Sequence, residues 1–543
     1  MKRLLLSSLL SLTPLCSFAE SQAELDARMQ WWDDGRLGMF LHWGVYSELG
    51  GEYRNMDHGK EMGGMSAEWI YMAGGVNEED YQAAAQRFKA EAYDPVEWVC
   101  LAKDAGMKYM VLTTKHHDGF ALFDTEASEW NAVDASGAKR DLIREYVDAC
   151  HAADMKVGFY YSHEKDWKHH GRGKNSDSVP EAYETLVLTQ MRELLTNYGK
   201  IDLIWYDLPS RKHGEFNEQC AAIVRELQPH CILNGRTGRD RNGEKLGDYQ
   251  NIGDRVLVDP GASGYMESIM TMRLNWGYDR NDDFWKPAHE LIRMVCKSAS
   301  RGSNFLLNVG PTPEGPFPSE DVERIEALGA WMEKNSEAIH ATKSGPYGYE
   351  HGWGSFTIGK DRNKLYLFPW NPEGASITLK GLTSPIQSAS FLDDGSKVSF
   401  TQDRANALTQ FELPAGLNAQ NIRVITIELE SQPEFDLEKG PSYQPAKVAH
   451  HNHNNLQGEL TELSDTHFTL HGRATRRRDL ENRCFVIPEN CRYRTNTAGD
   501  IQLVDTFPLE TGKQYRITWA KYEKENLPVI ITKFIDSNES KHL

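Results

Sequence analysis

The sequence predicts an α/β fold, a (β/α)8-type barrel, followed by an all-β sandwich and a small C-terminal β module. Three observations carry this. From about residue 30 to 342, apolar strand-like runs alternate with amphipathic helical segments, as a parallel sheet requires. Several of those runs end in titratable residues, as barrel strands do where they build an active site. After Gly345-Pro346 the helical periodicity stops, and short alternating runs are separated by Gly, Asp, Asn and Pro turns.

The elements follow in order. Met1-Lys2-Arg3, an apolar run from Leu4 to Cys16 and Ser17-Phe18-Ala19 read as a signal peptide over 1–19. The run is too short to anchor in a bilayer. An exported chain, periplasmic or secreted, with no integral membrane segment after cleavage, is therefore expected. The barrel is expected over 20–345. Its strands are placed at Leu37–Tyr46, Lys108–Thr114, Lys156–Ser162, Ile201–Asp207, Cys231–Gly235, Tyr265–Thr271 and Asn304–Val309. Helices are placed at Asp94–Ala105, Arg140–Ala153, Ala182–Tyr198 and Ala288–Ser300, the first opened by an Asp-Pro start signal. A doubly wound sheet is the rival, but no Gly-rich phosphate turn opens a helix. The sandwich is expected over 346–430, a polar linker over 431–455, and a β module of unknown role over 456–543.

Composition sets the outer limits. At 543 residues the chain exceeds one core. A net charge of −19 argues against nucleic acid as a partner, because phosphate binding needs a basic footprint. Cys484 and Cys491 are close enough in sequence to pair in an oxidising compartment. No cysteine spacing suggests a metal, and the His450-His451-Asn452-His453 tract lies in the polar linker, so no cofactor is expected.

The chemistry concentrates at strand ends. His42 ends the first strand, with Glu68-Trp69 in the long loop after it. His116 and His117 end the second strand, Tyr160-Tyr161 the third, Asp207 the fourth and Arg236 the fifth, while Glu267 lies on or just after the sixth. Two carboxylates among neutral donors and aromatics suggest glycoside hydrolysis, in which one carboxyl attacks and another protonates the leaving oxygen. Asp207 is expected to be ionised among His and Arg donors. Glu267, next to Met266, is expected to hold its proton. A metal-dependent reading of His116, His117 and Asp118 is disfavoured, because adjacent residues of a strand point to opposite faces.

The chain resembles the α-L-fucosidases of glycoside hydrolase family 29. The strings that carry the resemblance are Leu41-His42-Trp43-Gly44, Lys115-His116-His117-Asp118-Gly119-Phe120, Leu203-Ile204-Trp205-Tyr206-Asp207 and Asn275-Trp276-Gly277-Tyr278. It covers about residues 30 to 430. It implies an exo-acting, retaining α-L-fucosidase, with Asp207 as the nucleophile of a covalent glycosyl-enzyme intermediate and Glu267 as acid/base. The substrate would be a fucose-containing oligosaccharide or polysaccharide. His42, Glu68, Trp69, His116, His117, Tyr160, Tyr161 and Arg236 would grip the sugar, and Trp285 would face its methyl group. The chain departs from the family at Met266, where a Trp is usual. Two alternatives stay open: an α-L-galactosidase on the same scaffold, since an apolar wall rejects an added hydroxyl only ~100-fold, and a non-catalytic carbohydrate-binding protein.

Overall fold

The computed structural model describes residues 20–441, without 55, 58–66, 171–178, 211, 349, 361, 373–374 and 418–419, together with the strands between 454 and 534. The leader over 1–19, the histidine tract and Cys491, and with it the Cys484–Cys491 pairing, lie outside the described residues.

Eight parallel strands form the first sheet: β1 Leu37–Leu41, β2 Tyr109–Lys115, β3 Lys156–Ser162, β4 Leu203–Asp207, β5 Ile232–Leu233, β6 Gln250–Asp254, β7 Met266–Thr271 and β8 Ser303–Val309. Their lateral order is β5-β4-β3-β2-β1-β8-β7-β6, that of a barrel opened between β5 and β6. Asp248 spans the opening. Its backbone N–H donates to Leu233 O at 2.8 Å, and its carboxylate accepts the Leu233 N–H at 2.7 Å. Arg28 and Arg225 hold that same carboxylate from either side.

Seven of the eight strands are those expected from the apolar runs. The eighth, β6 (QNIGD), has no apolar run to announce it and is only half-buried. The first run is shorter than expected, because Val45–Leu49 is a helical turn rather than strand.

Helix α1 (Gln22–Gly35) precedes the barrel. Then come α2 (Pro95–Asp104) before β2, α3 (Leu142–Ala152) before β3, α4 (Glu181–Asn197) before β4, α5 (Gly214–Leu227) before β5, α6 (Ala288–Ser300) before β8, and α7 (Ser319–Asn335). Asp94 caps α2 by accepting from the Val96 N–H, with Pro95 at the first turn. Among the described residues no α-helix follows β5 or β6; β5 leads only into a 3-10 turn at Gly235–Thr237. Helix α1 covers that side instead. Its Trp32 stacks on Tyr249 at 4.4 Å, and its Asp26 accepts from the Tyr265 hydroxyl at 2.8 Å.

Alternation along the strands divides two cores. Phe40, Tyr109, Val111, Tyr160, Leu203, Trp205, Ile232, Ile269 and Leu306 fill the barrel, with Met29 and Trp32 of α1 among them. Met39, Leu41, Met110 and Leu112, one residue out of phase, face the helices. Gly38 has a steric purpose here: a Cβ would lie 2.5 Å from the Tyr109 ring.

The second domain has two antiparallel sheets: β9 (Thr342–Ser344), β10 (Ser355–Gly359), β11 (Lys364–Phe368), β13 (Ile386–Phe391) and β16 (Ile425–Leu429) in one, β12 (Ser376–Lys380), β14 (Phe400–Asp403) and β15 (Leu408–Glu412) in the other. They share one apolar core that includes Phe356, Leu367, Leu379 and Phe411. The sandwich is longer at both ends than the expected 346–430. It starts at Thr342, and the Asp436 N–H still bonds Gly381 O at 2.8 Å while Phe435 packs on the core. Residues 431–436 are thus part of the sandwich and not linker, because their backbone groups are paired with it. A buried Arg301–Glu350 ion pair at 2.7 Å ties it to the barrel. The strands between Asn454 and Phe534 form a separate seven-stranded sheet.

Candidate active site

A pocket opens at the C-terminal ends of the barrel strands, with some 390 Å³ of space including its mouth. That is the low end for small-molecule sites and suits one sugar ring rather than a chain. Phe40, Trp205 and Ile269, each 1% exposed, line its depth. His42, Glu68, Trp69, His116, His117, Tyr160, Asp207, Leu208, Arg236, Asp254 and Trp276 complete it.

Asp207 is the last residue of β4. Its Oδ1 accepts from Arg236 Nη1 at 2.8 Å and its Oδ2 from the Tyr160 hydroxyl at 2.8 Å. Burial acts to raise its pKa, but the charge and hydrogen bond of Arg236, with Tyr160 and His116, outweigh burial and hold the carboxyl below the usual range. Arg236 in turn lies over the Trp205 ring at 4.9 Å, and that ring stacks on Tyr160 at 5.6 Å. The other Arg236 nitrogen pairs with Asp254, the last residue of β6. One guanidinium therefore bridges two carboxylates.

Hydrogen-bond partners fix the tautomers of His42 and His117. Asn308 Nδ2 donates to Trp276 O at 2.8 Å, which turns its Oδ1 toward His42 Nδ1 at 2.6 Å. His42 thus carries its proton on Nδ1 and offers Nε2 as an acceptor. Burial pushes its pKa down to about 4. Ser162 Oγ donates to Lys165 O at 2.6 Å and so accepts from His117 Nδ1 at 2.6 Å. That leaves His117 Nε2 as an acceptor 3.6 Å from Asp207 Oδ2. Burial, then neighbouring positive charge, keeps His116 and His117 well below the ordinary histidine range.

Both histidines face the pocket, their ring centroids 4.2 Å apart. The expectation that they point to opposite faces fails, because β2 ends at Lys115 with a register shift and strand alternation stops there.

Glu68, 1% exposed, has its carboxyl pushed up to about 7 by burial, countered in part by Arg255 and backbone N–H groups. One of these is Gly277 N–H at 3.2 Å; a Cβ at Gly277 would come within 2.9 Å of the Tyr46 ring and 3.2 Å of Glu68 Cβ.

Three expected site residues lie elsewhere. Glu267 is the second residue of β7, at the wrong end of the strand for the pocket, and is fully buried. It accepts from Tyr109 OH at 3.0 Å, Trp205 Nε1 at 3.0 Å and Asn251 Nδ2 at 2.9 Å. Its pKa is indeed raised to about 7 by burial, but Trp205 stands between it and the pocket. Tyr161 points outward, one residue out of phase with Tyr160, and donates to Gln190 Oε1 at 2.6 Å. Trp285 donates to Asp321 Oδ1 on α7 at 2.7 Å and is not among the pocket residues. Asp254, Trp276, Phe40 and Leu208 were not anticipated as site residues. The Asn275-Trp276-Gly277-Tyr278 string was a signal for Trp276; Asp254 sits in a polar segment that gave none.

The family model for α-L-fucosidase matches residues 12–337. The chain belongs to the α-L-fucosidase family. Human plasma α-L-fucosidase is 29% identical over 349 residues, 60% of this chain and 72% of that protein. α-L-Fucosidase isoenzyme 1 from Paenibacillus thiaminolyticus is 30% identical, with a TM-score of 0.66, covering 75% of this chain and 100% of that one. A Bacteroides thetaiotaomicron family-29 α-L-fucosidase trapped as a covalent intermediate is 26% identical, with a TM-score of 0.68, covering 75% of this chain and 97% of that one. The fold of the α-L-fucosidase from Vibrio sp. strain EJY3, 24% identical, extends over 94% of this chain and 92% of its own, with a TM-score of 0.71. Family 29 enzymes are retaining glycoside hydrolases, and this chain is a hydrolase of that class.

Proposed function

We propose that the protein removes terminal α-L-fucosyl residues from fucosylated glycans, with Asp207 as nucleophile and Asp254 as acid/base. The observation that carries the reading is the Arg236 bridge between these two carboxylates. A single guanidinium is of the right length for the ~5–5.5 Å that separates the carboxyls of retaining enzymes. Asp207, kept ionised by Arg236 and Tyr160, attacks the anomeric carbon. Asp254, on the other side of Arg236, is placed to relay a proton to the departing oxygen and then to take one from the water that frees the sugar. The side chain of Asp254 is 42% exposed, as a group that meets the leaving group must be. The neutral Nε2 atoms of His42 and His117 accept sugar hydroxyls.

Glu68 is a second candidate for the acid, because it retains its proton to about pH 7. Its burial favours a sugar-binding role instead. The two are separable: Asp254→Ala should lose aryl-fucoside turnover by ~10²–10⁴, keep kcat/KM on fucosyl fluoride while its turnover slows at the water step, and yield α-fucosyl azide when azide is added. Glu68→Gln should raise KM on both substrates alike. The reading as a whole is tested by initial rates on aryl α-L-fucoside and aryl α-L-galactoside for wild type and Asp207→Ala. Fucoside cleavage lost in the variant supports it; preference for the galactoside moves the substrate and keeps the mechanism.

Export to the periplasm or medium is part of the same proposal. It rests on the basic-apolar-small pattern of residues 1–19, and N-terminal sequencing of the mature protein after cell fractionation tests it.

A further inference from the structure

Leu208 follows Asp207 and adopts φ = +53°, a conformation that leucine rarely takes. Nine described non-glycine residues have positive φ, and among them Leu208 is the one apolar side chain larger than alanine. The conformation has an evident use: it turns the Leu208 N–H back onto Asp207 Oδ1 at 2.8 Å. Glycine would do this without strain. What leucine adds is a side chain, and that side chain lines the pocket at 37% exposure while Phe40, Trp205 and Ile269 beneath it are sealed. It is one of four large apolar residues exposed among those described.

We infer that Leu208 is a specificity residue for the leaving group, an apolar contact at the pocket mouth for the C–H face of a neighbouring sugar or an aryl ring. The inference rests on the reading of the Asp207 pocket as a fucoside site. The backbone strain at position 208 is tolerated for the sake of this contact.

The test compares Leu208→Gly and Leu208→Ala with wild type on 4-nitrophenyl α-L-fucoside and on α-L-fucosyl fluoride, whose leaving group has no face to contact. Each methylene-sized contact is worth about fourfold in affinity, so kcat/KM on the aryl fucoside should fall about tenfold in both variants. On the fluoride it should change less than twofold, and inhibition by free L-fucose should be unchanged. Leu208→Gly alone should also gain about 1–2 °C in Tm by releasing the strained backbone. Equal losses on both substrates would assign the residue to Asp207 geometry and overturn the inference, as would no loss on either. A wild type that cleaves neither substrate overturns the fucoside reading itself, and the inference with it.

Discussion

Glu267→Gln separates a proton donor from a buried support. In the structure Glu267 accepts three hydrogen bonds beneath Trp205, whose ring carries Arg236 and stacks on Tyr160, the two partners of Asp207. Gln keeps an acceptor for Trp205 and Asn251, and its amide can donate to the Tyr109 hydroxyl, so the network survives. Turnover of an aryl fucoside should stay within about tenfold of wild type, against the ~10²–10⁴ lost with an acid/base. Stability gives an independent reading. Burial raises the Glu267 pKa from 4.5 to about 7, so between those values the folded chain holds a proton that the unfolded chain has released. Its contribution is complete below pH 4.5 and is lost as pH rises through 7. At ~1.4 kcal/mol per pH unit the loss reaches ~3 kcal/mol. With an unfolding entropy of ~2.1 cal/mol/K per residue over roughly 400 residues, that is about 4 °C in Tm. Gln does not titrate, so the Tm of Glu267→Gln minus that of wild type should increase by about 4 °C from pH 4.5 to pH 8, measured by calorimetry. Parallel Tm profiles would refute the buried, proton-holding Glu267. A loss above 100-fold that spares kcat/KM on fucosyl fluoride and is restored by added azide would return it to the leaving group.

Asp248→Ala removes the carboxylate that Arg28, Arg225 and the Leu233 N–H share across the barrel opening; breaking such a buried set costs ~3–5 kcal/mol, so Tm should fall by about 4–6 °C with KM little changed. Asn308→Ala frees the His42 tautomer that Asn308 and Trp276 O fix, and KM should rise about tenfold, near the cost of one buried hydrogen bond, with kcat changed less. Because burial holds His42 near pKa 4, sugar binding should show no His42 titration between pH 8 and 5; a KM that rises through pH 6.5 would contradict a neutral acceptor.

Most of the barrel could be read from the sequence because its strands are buried on both faces, which makes them apolar runs that end where polar residues begin. β6 escaped because Asp248, Arg28 and Arg225 close that side with charge rather than with an apolar run. The strand-end histidines, Tyr160, Asp207 and Arg236 were legible for the same reason. Glu267 was misread because its one-dimensional position did not show that it starts its strand, where the barrel is filled, instead of ending it, where the pocket opens. Tyr161 lost its place to a period of two, and His116 and His117 gained theirs because that period stops at Lys115.

The sequence by itself determined the barrel-then-sandwich order, the family and the strand-end position of Asp207, all of which depend on local runs and residue strings. Tertiary structure alone decided which carboxylate faces Asp207. That choice depends on one guanidinium from the β5 end reaching two strand ends 47 residues apart in number, Asp207 and Asp254. Contact of this kind is set by barrel curvature and by the Asp248 closure, and no local pattern in the chain encodes it.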